Sequence, residues 1–211
     1  MTCMGVDWSG AENVPDWRVA FEEGGVKFVI LRALRSNGEP DPQFPIQRQT
    51  LEEIGVTVFA YDFFNASLDV NKQADDFLRI IDGLKTPVYD FENAFGKDSA
   101  TLIEDSHNYL QQVAKGTGGV PTICTGPSFW DQYMDDSFGQ YHLMVMEYGV
   151  QQPRIPKGFS AAAFWQDASG EPNDGCGLCG TIQPAGFRDP IDRDWYMPGD
   201  HADLVRRFNL G

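Results

Sequence analysis

Short apolar runs rich in β-branched residues alternate along the chain with longer stretches whose apolar positions recur at helical spacing. The first run is Met4 to Trp8. A helix is predicted from about Pro15, where proline suits a first turn, and it stops before Gly24-Gly25. VKFVILRAL (26–34) is almost continuously apolar, as expected for a strand covered on both faces. A helix over 43–54 stopped by Gly55, a strand at 56–64 and a helix at 70–84 follow. In that last helix Ala74, Phe77, Leu78, Ile81 and Leu84 share one face. Strand TPVYDFEN (86–93) precedes a helix over 98–115 that ends in GTGG. Strands are then predicted at 120–126, 142–149 and 160–168, with an eighth around Arg188 to Asp192 and a closing helix near 200–208.

Eight strands interleaved with helices and short loops predict a closed parallel α/β barrel of the TIM type, spanning residues 1–211 as one domain. The later crossovers are too short for full helices, so the barrel is expected to be irregular, with fewer than eight helices. An open doubly wound sheet is the alternative. It would usually carry a glycine-rich phosphate turn after the first strand, and GVDWSGAEN has none.

Composition narrows the chemistry. The net charge of −15 argues against nucleic acid as a partner, because phosphate binding needs a basic surface. No apolar run reaches the ~20 residues of a membrane span. The opening MTCMGVDWSG lacks the basic and apolar regions of a signal peptide. Cys176 and Cys179 form a lone CxxC, read as a loop thiol pair or local disulfide ahead of a metal site. Three scattered histidines do not point to a histidine-built metal centre, and no cofactor is expected.

In a parallel barrel the reactive groups gather at the C-terminal strand ends. Those ends carry Asp7, Arg32 or Arg35, Tyr61-Asp62-Phe63, Asp90-Phe91-Glu92, Thr125, Glu147-Tyr148, Trp165-Gln166-Asp167 and Asp192. Carboxylates with aromatics and few cations suit glycosidic cleavage, whose oxocarbenium-like transition state is stabilised by carboxylates and assisted by a protonated one. Phosphoryl transfer would call for cationic clamps, and serine hydrolysis for a GxSxG elbow that is missing. Asp90 and Glu92 stand at i and i+2, hence on one side of a strand, with Phe91 turned into packing. Two carboxylates so placed push one pKa upward, as a general acid requires. The plain alternative, strand-end polar residues capping a helix, accounts less well for the pair beside Asp7. Arg32 and Arg35 read better as structural ion pairs than as substrate ligands.

Seven segments in order make the chain resemble the N-acetylmuramidases (lysozymes) of glycoside hydrolase family 25. They are GVDWSG (5–10), PDWRVAFEEGGVKFVILRA (15–33), VFAYDFFN (58–65), PVYDFEN (87–93), PTICTGPSFW (121–130), FWQDASG (164–170) and PIDRDW (190–195). The resemblance implies a flattened, irregular barrel cutting β-1,4 bonds between N-acetylmuramic acid and N-acetylglucosamine. It implies Glu92 as the general acid, Asp90 assisting at the anomeric centre, and Asp7 and Asp192 as outer carboxylates, with Asp194 a close neighbour of the last. Tyr61, Phe63, Tyr148, Trp165 and Gln166 are expected to contact sugar. Departures stand at Cys124, Met144, Asp167 and Asp62, where Tyr, Trp, Tyr and His are usual; all four are expected near the groove.

The expected partner is the glycan strand of peptidoglycan, with no nucleic acid, no membrane insertion and a monomeric chain. The place of action is the bacterial wall, reached by phage-type release or another secretion route. A competing reading, motivated by the departures, is a non-catalytic glycan-binding or phage-particle structural protein that retains the barrel. A third is a carboxylate-metal hydrolase.

Overall fold

The computed structural model describes residues 3–172, 175–208 and 210, so the first two residues of the opening segment lie outside it. Eight strands close into one barrel in sequence order. They are β1 (Cys3–Trp8), β2 (Val26–Leu34), β3 (Thr57–Phe63), β4 (Pro87–Asp90), β5 (Thr122–Thr125), β6 (His142–Met146), β7 (Phe164–Ala168) and β8 (Asp192–Tyr196). Six helices accompany them: α1 (Trp17–Glu22), α2 (Phe44–Glu53), α3 (Val70–Ile81), α4 (Ser99–Thr117), α5 (Pro127–Tyr133) and α6 (His201–Arg207).

The helix ends follow local rules. Asp16, Asp69, Asp98 and Asp200 each accept a backbone N–H of the first turn of α1, α3, α4 and α6. Gly118, at φ 67°, ends α4 in the left-handed conformation that glycine tolerates best. The short α5 was not foreseen, since seven residues after Pro127 give too little period to see.

Two expectations about the last strand are corrected. It lies at 192–196 rather than 188–192, and it runs antiparallel to both β7 and β1. The cause is the connection. The chain leaves β7 at the barrel mouth and enters β8 from that same mouth, with no helix or strand among the described residues 169–172 and 175–191. DRDWY has no apolar run to mark it as a strand, because its alternate residues face a polar mouth and a packed wall.

Strand alternation divides the core in two. Outward-facing Val6, Val29, Leu31, Val58, Tyr89 and Ile123 pack under the helices. Inward-facing Phe28, Phe59, Phe164 and Tyr196 fill the end away from the mouth, and Phe208 plugs it from beyond α6. The rings of Phe28, Phe59 and Phe164 meet at 5.3–5.9 Å, and Phe208 lies 5.0 Å from Phe59. A Cβ on Gly5 would collide with the Phe28 ring, so this floor can form only with glycine there.

Candidate active site

The inward-facing positions that end in aromatics at the floor end in acids at the mouth. Asp7, Asp90 and Glu92 come from C-terminal ends of parallel strands, as anticipated. Asp192 comes from the N-terminal end of β8, which the reversed strand brings to the same rim beside Asp7. The four line one cleft of about 700 Å³, together with Glu12, Arg32, Tyr61, Phe63, Met146, Tyr148, Gln166 and Asp189.

Two carboxyl pairs stand in this cleft. Asp90 stands close enough to Glu92 for the charge of one to act on the other, and Asp192 lies beside Asp7 in register. Burial raises Asp90 well above the ordinary carboxylate range, and the charge of Glu92 and its hydrogen bond raise it further. Glu92 reaches the exposed rim. Its carboxyl is also raised, by desolvation and by the charge of Asp192, with the hydrogen bond from Asp90 acting against this. Asp7 is raised by burial first, then by Asp192, Asp194 and Asp90. Asp192 is raised by burial, while the Gly170 N–H that donates to it pulls the other way.

A relay of polar groups holds Asp7. The Tyr148 hydroxyl donates to Gln166 Oε1, and Gln166 Nε2 donates to Asp7 Oδ2 at 2.5 Å. Arg32 is the ion-pair residue it was expected to be. Its guanidinium reaches buried Asp41 at 2.9 Å through two nitrogens, and Asp41 also accepts the Gly10 N–H. Arg35 pairs with Glu39 at 4.0 Å on the surface.

Several expected site residues lie elsewhere. Trp165 does not line the cleft. Its ring is buried on the outer face of β7 against Leu143 and Val145, and its Nε1 donates to the Glu147 carbonyl at 2.8 Å. The residue faces out because Gln166, its neighbour, faces in. Asp62 and Asp167 are likewise outside the groove. Asp62 is fully buried beneath the helices and accepts the Tyr109 hydroxyl at 2.7 Å. Asp167 forms a bidentate pair with Arg193 at 2.8 and 2.6 Å. Of the four departures, only Cys124 and Met144 face inward. They sit with Ile30 and Val88 around a small hollow beneath Asp7 and Asp90. Cys176 and Cys179 are disulfide-bonded in the β7–β8 loop, as one of the two expectations had it.

Two acidic groups escaped the sequence reading as members of the site. Glu12 accepts the Ser9 N–H at 2.6 Å at the cleft edge, and burial raises its carboxyl. Asp194 lies fully buried inside the barrel, paired in register with Gly5 and Gln166. Its i+2 relation to Asp192 was the available signal, hidden by the misplaced strand.

A closed α/β barrel with neighbouring carboxyls in an aromatic-edged cleft is the arrangement expected of a glycoside hydrolase. The model of the glycosyl hydrolases family 25 matches residues 6–176, and the chain belongs to this family. A lysozyme from Streptomyces coelicolor superposes with a TM-score of 0.87 at 20% identity, covering 100% of this chain and 98% of that one. A family 25 glycosyl hydrolase from Bacillus anthracis gives 0.81 at 18% identity, covering 97% and 92%. At such identities these likenesses show the fold. The uncharacterised protein YegX of Escherichia coli K12 is 29% identical over 181 residues, which are 82% of this chain and 66% of YegX. The match thus leaves about a third of that relative uncovered.

Proposed function

We propose that this chain hydrolyses the β-1,4 bond between N-acetylmuramic acid and N-acetylglucosamine in bacterial peptidoglycan, at the cell wall. Glu92 is the general acid and Asp90 assists at the anomeric centre. The observation that carries the reading is the difference in depth between two neighbouring carboxyls of one cleft: Asp90 is sunk in the barrel and Glu92 reaches the rim. Family membership supports it, as do neighbours described as a lysozyme from Streptomyces coelicolor and a muramidase from Trichobolus zukalii.

The chemistry follows from the pair. Near neutral pH two adjacent carboxyls in a desolvated site keep one proton between them. In the open cleft we place that proton on the deeper Asp90. A sugar seated over Glu92 expels water from that side chain, which raises its affinity for the proton. The proton then passes to Glu92 and from there to the leaving glycosidic oxygen as its bond to the anomeric carbon breaks, and water completes the hydrolysis at that carbon. Asp90, left ionised, faces the positive charge that develops at the anomeric carbon. Asp7 and Asp192 add negative potential across the cleft, and the Tyr148–Gln166 relay fixes Asp7. Tyr61 and Phe63 offer ring faces to the sugar.

Mass spectrometry of fragments released from purified peptidoglycan tests this. The wild type should yield muropeptides with new reducing N-acetylmuramic acid ends, and Glu92→Gln should yield almost none. Equal release by Glu92→Gln would remove Glu92 from its role. Reducing N-acetylglucosamine ends would overturn the assigned bond.

A further inference from the structure

Glu92 borders a second hollow besides the catalytic cleft. This groove of about 530 Å³ opens between the β4–α4 loop and α5, walled by Asn93, Phe95, Lys97, Phe129 and Tyr133. Its near wall is a tight, well-held turn. Asn93 Oδ1 accepts the Phe95 N–H at 2.8 Å, and the Lys97 N–H donates to the Ala94 carbonyl at 2.9 Å. Phe95 adopts φ 48°, an unfavourable left-handed conformation for a bulky residue, and is the single non-glycine with positive φ among the described residues. Strain kept at such a place points to use of the side chain it presents. The far wall is equally fixed: Phe129 packs on Phe91 at 4.9 Å and on Tyr133 at 5.2 Å.

Charge singles out Lys97. The chain carries −15 overall, and the cation of the catalytic cleft, Arg32, is already committed to Asp41. Lys97 is exposed on the groove and enters no salt bridge among the described residues; its field reaches Asp105 on α4. A groove with aromatic walls, a mostly polar lining and one available ammonium fits an amphiphilic, anionic ligand such as a sugar bearing an acidic branch.

We propose that this groove receives the leaving-group arm of the glycan strand and that Lys97 holds a carboxylate of the short acidic peptide branch carried on it. The inference rests on the hydrolase reading above. A general acid must touch the leaving oxygen, so the leaving arm departs from Glu92, and the groove begins there. Phe95, Phe129 and Tyr133 take the apolar faces of the arm, and Lys97 supplies attraction that the acidic cleft lacks.

Steady-state hydrolysis of two substrates tests it: strands with their peptides, and the same strands stripped of peptide by an amidase. The wild type should show a KM about three- to fivefold lower for the peptide-bearing strands, the range expected of an exposed ion pair, and the advantage should shrink at high salt. In Lys97→Gln the ratio of the two KM values should fall towards one, and Lys97→Arg should restore most of it. Equal KM values for the wild type, or an undiminished ratio in Lys97→Gln, would overturn the proposal and leave the hydrolase reading standing. Failure of the wild type to cleave either substrate would sink the hydrolase reading, and this one with it.

Discussion

The two ends of the barrel interior are built from alternate residues of the same strands, yet they obey opposite rules. At the floor, Phe28, Phe59, Phe164 and Phe208 pack ring against ring with almost no exposure. At the mouth, Asp7, Asp90, Asp192 and Asp194 crowd together; burial raises all four pKa values, and the charge of Asp192 raises the other three further. The floor gains from removing apolar surface from water; the mouth gives up stability to hold acids that solvent would prefer ionised. One closed sheet can do both because β-strand alternation decides which face a residue serves, and position along the strand decides which end.

The largest test of this division is chemical. Glu92→Gln keeps the size of the side chain and removes its proton, so kcat on peptidoglycan should fall about 10³-fold, within the range for loss of a general acid. Its urea midpoint should stay close to that of the wild type, since the side chain is exposed. A large drop in both would mean that mouth and floor are not separable.

Phe164→Ala addresses the other end. Phe164 touches Phe28, Phe59, Tyr196 and Phe208, so its loss opens a cavity in the middle of the floor. A loss of about 4 kcal/mol in unfolding free energy is expected from urea titration. The fraction that remains folded should retain most of its activity, since no floor ring reaches the cleft.

Much of this partition was legible in the sequence. The run 26–34 announced a strand covered on both faces, and the DFE spacing announced inward Asp90 and Glu92 with outward Phe91, which is buried under the helices. What was not legible traces to one strand. DRDWY shows no apolar run, and its reversed direction follows from where the chain re-enters the barrel after β7, a long-range fact that local pattern does not hold. Trp165 was misread for a related reason: an aromatic in a matching segment was credited with the site, although its neighbour Gln166 already occupied the inward phase. Asp62 looked like part of the groove by its place near a strand end, but its parity sends it beneath α4.

Asp194→Asn should reveal the stability given up at the mouth. Asp194 is 0% exposed, neither oxygen accepts a well-formed hydrogen bond, and burial followed by the charge of Asp192 raises its pKa well above 3.8. A raised acid favours the fold below its unfolded pKa and loses that contribution as pH climbs towards its folded pKa. Wild-type stability should therefore fall from pH 4 to pH 7. Asparagine removes this dependence, so the variant should gain about 2 kcal/mol at pH 7 and almost nothing at pH 4. A gain of equal size at both pH values would mean that ionisation is not its source.

Asp62→Asn is the gentlest perturbation and separates burial from function. Asp62 is as buried as Asp194, and desolvation raises it in the same direction, but the Tyr109 hydroxyl donates to it and favours its charged form. Part of the burial cost is thus already offset, and an asparagine oxygen can still accept from Tyr109. The expected gain is about 1 kcal/mol at pH 8, vanishing near pH 4 by the same sign rule. Because Asp62 faces the helices, kcat at its optimum should hardly move, but the charge of Asp62 is among the causes that raise Asp90, so the pH profile should shift slightly towards lower pH. If the pH profile stayed fixed, the wall of the barrel would insulate the acids under the helices from those in the mouth, and the influence of Asp62 on Asp90 would be absent.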